Sequence, residues 1–162
     1  FQTRSSRFVV NGLLLSGGLA YIDSELTEDY IPDPGATPDA FAGSQLPLTP
    51  EFKGNLTARY SFDVGEFEAY VQGSAVYSGS TWSDLIQSIR DIYGKQDAYT
   101  IADFTAGFER NGIAVELYVN NAFDERARLW TYSGCFEEVC GVNPYYLTNQ
   151  PRTVGIKFGQ KF

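Results

Sequence analysis

The sequence contains neither histidine nor methionine, and it has only two cysteines, Cys135 and Cys140. Histidine is the commonest general base and a frequent metal ligand, so its absence argues against catalysis and against a metal site. A nucleophile with its base, a phosphate-binding loop and a carboxylate dyad are all unrecognisable. The formal net charge of −8 disfavours nucleic acid as a partner. We therefore predict that the protein is not an enzyme, has no catalytic residues and needs no cofactor.

The sequence also lacks a run of about eighteen apolar residues, which excludes a transmembrane helix. Strands of a membrane barrel alternate apolar and polar residues, so this absence does not exclude them. Aromatic residues are plentiful, with Phe 12, Tyr 11 and Trp 2. The chain starts at Phe1 with no initiator methionine and no signal-peptide pattern, and we interpret it as a piece of a longer protein.

Alternation of apolar and polar residues predicts seven strands. Tight turns are expected at Asn11-Gly12, Val64-Gly65 and Asn111-Gly112, and Asn-Gly is the strongest short signal for a hairpin. The predicted strands span residues 1–10, 13–26, 52–63, 66–79, 98–110, 113–123 and 151–162. The remaining connections are three long loops at residues 27–49, 80–97 and 124–150.

The tight turns predict a register, because residues that flank a two-residue turn pair across the strands and share a face. Around Asn111-Gly112, Phe108 pairs with Val115, and around Asn11-Gly12, Phe8 pairs with Leu15. Around Val64-Gly65 the expected pairs are Phe62 with Phe67, Tyr60 with Ala69, and Ala58 with Val71. Apolar residues meet apolar residues in every hairpin, apart from Arg110 at a turn.

Charge separates cleanly between the two faces of the strands that follow the first. Every second residue forms an apolar face without charge over the ranges Leu13 to Tyr21, Phe52 to Phe62, Phe67 to Tyr77, Ala98 to Phe108, Ile113 to Phe123, and Val154 to Phe162. The interleaved positions carry the charges Lys53, Arg59, Glu68, Asp103, Glu116, Lys157 and Lys161. A basic residue that faces lipid at mid-bilayer costs roughly 2–4 kcal/mol, so a lipid-facing side is expected to be this clean.

A soluble β-sandwich also keeps charge out of its core, so other features distinguish the two folds. The strands are long enough to cross a bilayer at a tilt, with tight turns at one side and long loops at the other. Aromatic residues end the apolar faces at both sides: Phe62, Phe67, Phe108 and Phe162 near the turns, and Tyr21, Tyr77 and Phe123 near the loops. The pattern predicts an all-β fold, a segment of an antiparallel up-and-down transmembrane β-barrel.

The first strand departs from this pattern, because its register places Gln2 and Arg4 on the lipid side. Two explanations are open. That end of the strand lies near the outer interface, where an arginine can extend its charged group to water, or a bulge changes the phase of the strand.

Three motifs of the sequence are characteristic. Pro151-Arg-Thr-Val-Gly-Ile, with the closing Phe162, follows Val119-Asn-Asn-Ala-Phe-Asp124. Leu46-Pro-Leu-Thr-Pro-Glu-Phe52 enters a strand after an acidic loop. The first two motifs resemble the C-terminal end of the TonB-dependent outer-membrane receptors, and the third resembles the corresponding stretch of the same family. One departure is Ala122, where the family more often has leucine.

The resemblance implies that residues 1–162 are the C-terminal part of a 22-strand barrel, with the plug and the earlier strands absent. It implies localisation in the outer membrane of a Gram-negative bacterium and active uptake of a siderophore, cobalamin, carbohydrate or similar nutrient. The implied partners are outer-membrane lipid, the remaining strands and plug of the same receptor, the TonB complex through the plug region, and the small-molecule substrate. Phe158 and Phe162 would form the barrel-assembly signal. Seven strands cannot close such a cylinder, so we expect both edge strands to pair outside this chain.

Several residues are candidates for binding. Trp130, Tyr132, Tyr145 and Tyr146 in the third loop can stack on a substrate, and Arg59, Asp103 and Glu116 can line the transport path. The alternatives are that Trp82 and Trp130 belong to the interfacial belt and that the interior charges pair with one another or with a plug. Cys135 and Cys140 are predicted to form a disulfide that either pins a ligand-facing loop or only protects it. The acidic first loop is interpreted as solvated rather than as a calcium site.

Two alternative functions remain from the sequence. A passive porin-like barrel fits the strands equally well, and the sequence upstream of Phe1 distinguishes it, because only the active transporter needs a plug. A soluble β-sandwich binding module is distinguished by its solubility without detergent.

Overall fold

The computed structural model describes residues 2–132 and 145–160, and for Thr3 and Val10 it describes the backbone alone. One antiparallel sheet contains β1 (Gln2–Val10), β2 (Leu13–Tyr21), β3 (Phe52–Val64), β4 (Phe67–Ser78), β7 (Tyr99–Arg110), β8 (Ile113–Asn120) and β11 (Thr153–Gln160). The long loops contain β5 (Thr81–Trp82), α1 (Gln87–Tyr93), β6 (Lys95–Gln96), β9 (Arg128–Tyr132) and β10 (Tyr145–Thr148). Each strand of the sheet lies beside its neighbours along the chain, so the predicted seven-strand up-and-down order is confirmed.

Two of the tight turns form where the Asn-Gly signals stand. Asn11 and Gly12 have φ of 43° and 82°, and Asn111 and Gly112 have φ of 52° and 78°. Positive φ at both central residues is the pattern of a type I′ turn, which matches the twist of the flanking strands. The predicted pairs in these two hairpins are confirmed, since Phe8 faces Leu15 and Phe108 faces Val115.

The turn of the middle hairpin is formed by Gly65 and Glu66, because Val64 pairs with Phe67. The predicted turn at Val64-Gly65 is therefore wrong. A β-branched valine adopts positive φ only with strain, whereas Gly65 does so freely at 63° and takes the first central position, as in a type II′ turn. The predicted pairs are replaced by Phe62 with Ala69, Tyr60 with Val71, and Ala58 with Gly73. The shift is two residues, so every side chain keeps its predicted face.

The apolar face of the sheet is uncovered by the rest of the described chain. Leu56 is 58% exposed, Leu117 is 57% exposed, and Phe104 and Val71 are also exposed on this face. A β-sandwich would bury these side chains beneath a second sheet. Among residues 2–132 and 145–160 no such second layer is present, so the apolar face is the outward face of a barrel wall.

The first strand keeps its register without a break, from Gln2 opposite Tyr21 to Val10 opposite Leu13. The bulge considered for this strand is therefore absent, and that explanation is wrong. Arg4 pairs with Leu19 and lies on the outward face, two residues from the loop-side end of the strand. The explanation by proximity to the outer interface is the one that fits this register.

The second strand ends at Tyr21 instead of continuing to residue 26. Beyond that point the first loop is organised by two isolated bridges, Glu25 with Gln45 and Tyr30 with Ala40. The outer strands of the sheet are β1 and β11, which do not pair with each other. The barrel is thus open in this chain, and pairing of the two edges with strands outside it stays a prediction.

Most of the buried residues lie at the loop side of the sheet. The buried residues of the described loops are Ala40, Pro50, Arg90, Gln96, Asn121, Ala127, Thr131 and Asn149, and the buried Ser78 and Ala102 lie near the loop ends of their strands. We call this packed region the loop layer: residues 22–51, 79–98, 121–132 and 145–152. The wall of the barrel has no core of its own, because one face is outward and the other faces the interior.

Candidate functional site

Five residues on the interior face of the sheet form a continuous polar group, here called the interior cluster: Arg59, Tyr70, Glu116, Tyr118 and Lys157. The Tyr70 hydroxyl donates a hydrogen bond to Glu116 Oε2, and Lys157 Nζ donates to Glu116 Oε1 at 2.8 Å. The Arg59 guanidinium lies 3.6 Å from the centre of the Tyr70 ring, and Lys157 Nζ lies 4.7 Å from that of Tyr118. Strand alternation places all five on one face, as the sequence pattern predicts.

Two glycines make room for the tyrosines of the interior cluster. A Cβ at Gly107 would lie 2.6 Å from Tyr70 Cε1, and a Cβ at Gly155 would lie 2.3 Å from the Tyr118 hydroxyl oxygen. Each tyrosine ring therefore lies flat across the neighbouring strand, over a residue without a side chain. This arrangement brings the hydroxyl of Tyr70 to Glu116.

The predicted interior residues are only partly brought together. Arg59 and Glu116 belong to the same cluster. Glu116 pairs with Lys157, as the alternative to a transport role anticipates, whereas the Arg59 guanidinium lies over the Tyr70 ring. Asp103 lies four residues along β7 from Gly107, which is about 13 Å of strand. Its Oδ1 accepts a hydrogen bond from the backbone N–H of Asn121 at 2.7 Å, so it holds the end of β8.

The first and second loops are joined by the buried side chain of Arg90 on α1, which is 6% exposed. Its Nε donates to the Asp84 carbonyl at 2.8 Å, and its Nη2 donates to the Gln45 carbonyl. Its guanidinium also lies 4.9 Å from the centre of the Trp82 ring. Burial lowers the pKa of Arg90, while the charge of Asp84 raises it. An arginine keeps its charge in proteins, so Arg90 acts as a charged pin between two loops.

The second and third loops are joined through Thr131, which is 1% exposed. Its backbone N–H donates to Ser83 Oγ at 2.8 Å, and its Oγ1 accepts from Gln96 Nε2 at 3.1 Å. Together with the Arg90 contacts, these bonds connect all three long loops. The sequence does not reveal this connection, because its partners are far apart in the chain and belong to no local pattern.

Three of the predicted aromatic residues share one exposed face of the β9–β10 hairpin. Tyr145 pairs with Tyr132, and Leu147 pairs with Trp130. The Trp130 and Tyr132 rings lie 5.5 Å apart, edge to face. Thr131 points the opposite way, into the second loop, so Trp130, Tyr132, Tyr145 and Leu147 face away from the packing of the described loops. We call these four residues the aromatic face.

Two aromatic residues of the loops do not belong to the aromatic face. Tyr146 pairs with Thr131 on the other side of the hairpin, and the Arg128 guanidinium lies 4.4 Å from its ring centre. Trp82 contacts the cationic groups of Arg90 and Lys95 within the loop layer. Both rings therefore pack against basic side chains of the same chain.

The base of the third loop is closed by a hydrogen-bonded clasp. Asn121, which is buried, donates to the carbonyls of Glu125 and Gln150, both at 2.9 Å. The Asp124 carboxylate accepts from the backbone N–H of Arg152 at 2.9 Å and from Arg126 at 3.0 Å. The hydrogen bond from the Arg152 backbone, and to a lesser extent the one from Arg126, hold the pKa of Asp124 below its usual range. The motifs at residues 119–124 and 151–156 are thus joined in space, a role that the sequence did not reveal.

Some predicted features lie outside the described residues, namely Cys135, Cys140 and Phe162. Phe158 is described and lies on the outward face of β11, opposite Val115. Within the described ranges no group of three or more Cys, Asp or Glu residues is arranged to hold a metal ion. None of the described helical segments has the length and apolarity needed to cross a membrane.

Comparison with known proteins identifies the family. A family model described as "TonB dependent receptor-like, beta-barrel" matches residues 3–122. The chain belongs to the TonB-dependent receptor family. The metal-pseudopaline receptor CntO of Pseudomonas aeruginosa is similar to this receptor chain, with 30% identity over 128 residues, which are 78% of this chain and 16% of CntO.

Solved structures of three receptors share the fold of this chain. The siderophore receptor PiuA from Acinetobacter baumannii matches with a TM-score of 0.72 at 21% identity, over 95% of this chain and 20% of PiuA. The ferric-catecholate import receptor Fiu from E. coli K12 matches with a TM-score of 0.66 at 18% identity, over 99% of this chain and 21% of Fiu. The ferric yersiniabactin uptake receptor FyuA from Yersinia pestis matches with a TM-score of 0.63 at 16% identity, over 99% of this chain and 29% of FyuA. The chain thus spans a minor part of each relative.

The family is one of Gram-negative outer-membrane proteins, and the relatives named above are receptors rather than enzymes. The predicted resemblance is confirmed, and so is the interpretation of this chain as a fragment of such a receptor.

Proposed function

We propose that this chain is the C-terminal part of an outer-membrane active transporter of a Gram-negative bacterium. The transporter takes up a scarce nutrient through its long loops and uses energy from the TonB system. Within that function we propose a metal chelate as the substrate, because the related receptors are named for metal-pseudopaline, ferric catecholate, ferric yersiniabactin and siderophores. The earlier strands, the plug and the contact with TonB would belong to the rest of the receptor.

The observation that carries this proposal is the aromatic face, held by interlocked loops at the side of the barrel where the long connections lie. Trp130, Tyr132 and Tyr145 are exposed, although Thr131 on the opposite side of the same hairpin is buried. Exposed rings on a rigid support can stack on a planar ligand at a low entropic cost. We propose these three residues as the first contacts of the substrate.

The interior cluster supports the second half of the proposal. Arg59, Glu116 and Lys157 keep the interior face charged and polar, which suits a path for a polar chelate or a surface for a plug. Glu116 is neutralised by Lys157, whereas Arg59 lies over the Tyr70 ring, so the Arg59 guanidinium can donate hydrogen bonds to an anionic group. Asp103 would position the end of β8 and have no contact with the substrate.

Uptake by whole cells tests the proposal. The intact receptor is expressed in a strain that lacks its own copy, and cell-associated radioactive iron is measured with a panel of ferric chelates, with TonB present or deleted. We expect accumulation of at least one chelate when TonB is present, and only surface binding when TonB is deleted. Trp130→Ala and Tyr145→Ala should each weaken binding about tenfold, since each removes an aromatic stacking contact.

Phe123→Ala is the matched control, because Phe123 is an exposed ring at the same side of the sheet that contacts Phe104 on the outward face. This variant should bind and transport as the wild type does. Uptake that is equal with and without TonB would show a passive porin-like barrel. Normal binding by Trp130→Ala and Tyr145→Ala would show that the aromatic face does not contact the substrate.

A further inference from the structure

The outward face of β1 differs from that of the other strands in the sheet. Its first three outward positions are Gln2, Arg4 and Ser6, which pair with Tyr21, Leu19 and Gly17 of β2. On the outward face of the other six strands, the described charge is Arg110, which lies at a turn and pairs with Glu66. Arg4 is exposed and makes no ion pair with another described residue. A lone guanidinium on a lipid-facing surface calls for a specific partner.

Arg4 lies close to the level at which the bilayer becomes polar. It is two residues, about 7 Å of strand, from the level of Tyr21. The centres of the Tyr21 and Phe52 rings are 5.0 Å apart, and both rings belong to the aromatic girdle of the loop side. Aromatic girdles mark the headgroup level of membrane barrels, and the long arginine side chain reaches several ångströms toward that level.

A groove runs from Arg4 along the outward face of β1 to β4. It has a volume of about 610 Å³ and is almost entirely apolar. Its floor is low because Gly17 faces Leu56 and Gly54 faces Leu19, so that two adjacent pairs each lack one side chain. Its walls are formed by Phe8, Leu15, Leu19, Leu56 and Tyr77. The shape suits a hydrocarbon chain that lies along the barrel beneath a polar headgroup.

We propose that Arg4 and this groove form a binding site for a single phosphate-bearing membrane lipid. The lipid phosphate accepts hydrogen bonds from the Arg4 guanidinium, with Gln2 and Ser6 as neutral neighbours, and one acyl chain occupies the groove. The guanidinium fork matches a phosphate group, and the interaction supplies the counter-charge that the described chain does not provide. The site is distinct from the aromatic face and does not depend on the transported substrate.

Native mass spectrometry of the intact receptor in detergent tests this site. The delipidated receptor is titrated with dipalmitoyl phosphatidic acid, with dipalmitoylglycerol, which has the same chains without phosphate, and with inorganic phosphate. We expect one molecule of phosphatidic acid to bind preferentially, with little binding of the other two. Arg4→Gln should lower the affinity for phosphatidic acid about fivefold, which is the usual contribution of one basic residue to the binding of an anionic lipid.

The chain offers matched controls. Arg7→Gln removes the same charge from the same strand, but Arg7 pairs with Ser16 on the interior face, so lipid binding should be unchanged. Arg4→Lys keeps the charge but lacks the guanidinium fork, so its affinity should lie between those of the wild type and Arg4→Gln. Gly54→Leu fills the groove, and a Cβ at this position fits at ordinary contact distance, 3.5 Å from Leu19. This variant should lose affinity for phosphatidic acid while Arg4 is intact.

The proposal is overturned if Arg4→Gln binds phosphatidic acid as tightly as the wild type. It is also overturned if Arg7→Gln lowers the affinity for phosphatidic acid as much as Arg4→Gln does. Equal binding of dipalmitoylglycerol would show that the headgroup is not recognised, and saturable binding of inorganic phosphate alone would show that the groove is unused. Receptor dimers that Arg4→Gln dissociates would assign the surface to a second copy of the receptor instead.

Discussion

Tyr118 and Gly155 illustrate how single residues on the interior face depend on each other across strands. The Tyr118 ring occupies the space that a side chain at position 155 would need, and it rests beside the ammonium group of Lys157. The alternation of the sequence predicts that these residues share a face. It does not predict that the glycine and the tyrosine belong together, because their pairing depends on the register between β8 and β11.

Gly155→Ala is therefore expected to destabilise the barrel by about 1–3 kcal/mol, because the new methyl group displaces the Tyr118 ring. The measurement is the midpoint of urea unfolding of the intact receptor in lipid vesicles. Gly159→Ala is the control on the same strand and face, since among the described residues its Cβ would meet only Ala114, at 3.9 Å. Equal stability of the two variants would contradict the interlocking of Tyr118 and Gly155.

Asp124 is expected to make the stability of the third loop depend on pH. Its pKa is lowered in the folded protein, so its stabilising effect is fully present above its ordinary pKa of about 4 and is lost as the pH falls through the lowered value. Asp124→Asn keeps an oxygen that can accept the hydrogen bond from Arg152 but removes the charge. At neutral pH the variant should unfold at a lower urea concentration than the wild type. In strong acid the two unfolding midpoints should be the same.

The control for this prediction is Asp33→Asn, which changes the net charge equally at an exposed position of the first loop. It should behave as the wild type at both pH values. A difference between Asp124→Asn and the wild type that persists unchanged into strong acid would show that the carboxylate charge has no part in the clasp.

At the scale of the structural elements, the seven long strands were predictable and the organisation of the loops was not. Asn11-Gly12 and Asn111-Gly112 define their hairpins locally, and only the turn at Gly65 was misplaced, by a shift that left both faces unchanged. Helix α1 and the two small sheets of the loop layer are held by contacts between distant segments, such as Arg90 with Gln45. Short elements of this kind depend on tertiary packing and have little periodicity of their own.

Arg90→Gln is expected to loosen the first and second loops while leaving the sheet intact. The substitution removes charge-assisted hydrogen bonds from a buried side chain, which should cost about 2 kcal/mol of local stability. Hydrogen exchange of backbone amides in residues 39–50 and 80–96 should then become roughly thirtyfold faster.

Lys95→Gln is the matched control, because Lys95 contacts the same Trp82 ring from an exposed position. Its effect on exchange in the two loops should be several times smaller than that of Arg90→Gln, since an exposed cation–π contact contributes only about 0.5–1 kcal/mol. Faster exchange throughout the sheet in Arg90→Gln would contradict the view that Arg90 serves the loops alone.

At the scale of the whole molecule, this chain is a single sheet with an apolar outward face and a polar, charged interior face. The separation of charge between alternate residues predicted this arrangement, and the uncovered apolar face of the single sheet agrees with it. Candidate residues on the interior were harder to predict, because periodicity gives the face of Arg59, Asp103 and Glu116 but not their distances along the strands. Three of the four residues of the aromatic face were candidates from the sequence. That Tyr146 lies on the other side of the hairpin follows only from the β9–β10 register.

The central claim is that the apolar face contacts hydrocarbon and the opposite face contacts water. Ala106 and Thr105 are neighbours in the middle of β7, with Ala106 on the outward face opposite Val71 and Leu117, and Thr105 on the interior face opposite Gln72 and Tyr118. The most direct measurement compares the unfolding free energies of Ala106→Arg and Thr105→Arg in lipid vesicles. We expect Ala106→Arg to lose about 2–4 kcal/mol and Thr105→Arg less than about 1 kcal/mol. A loss for Thr105→Arg that equals or exceeds that of Ala106→Arg would contradict the claim.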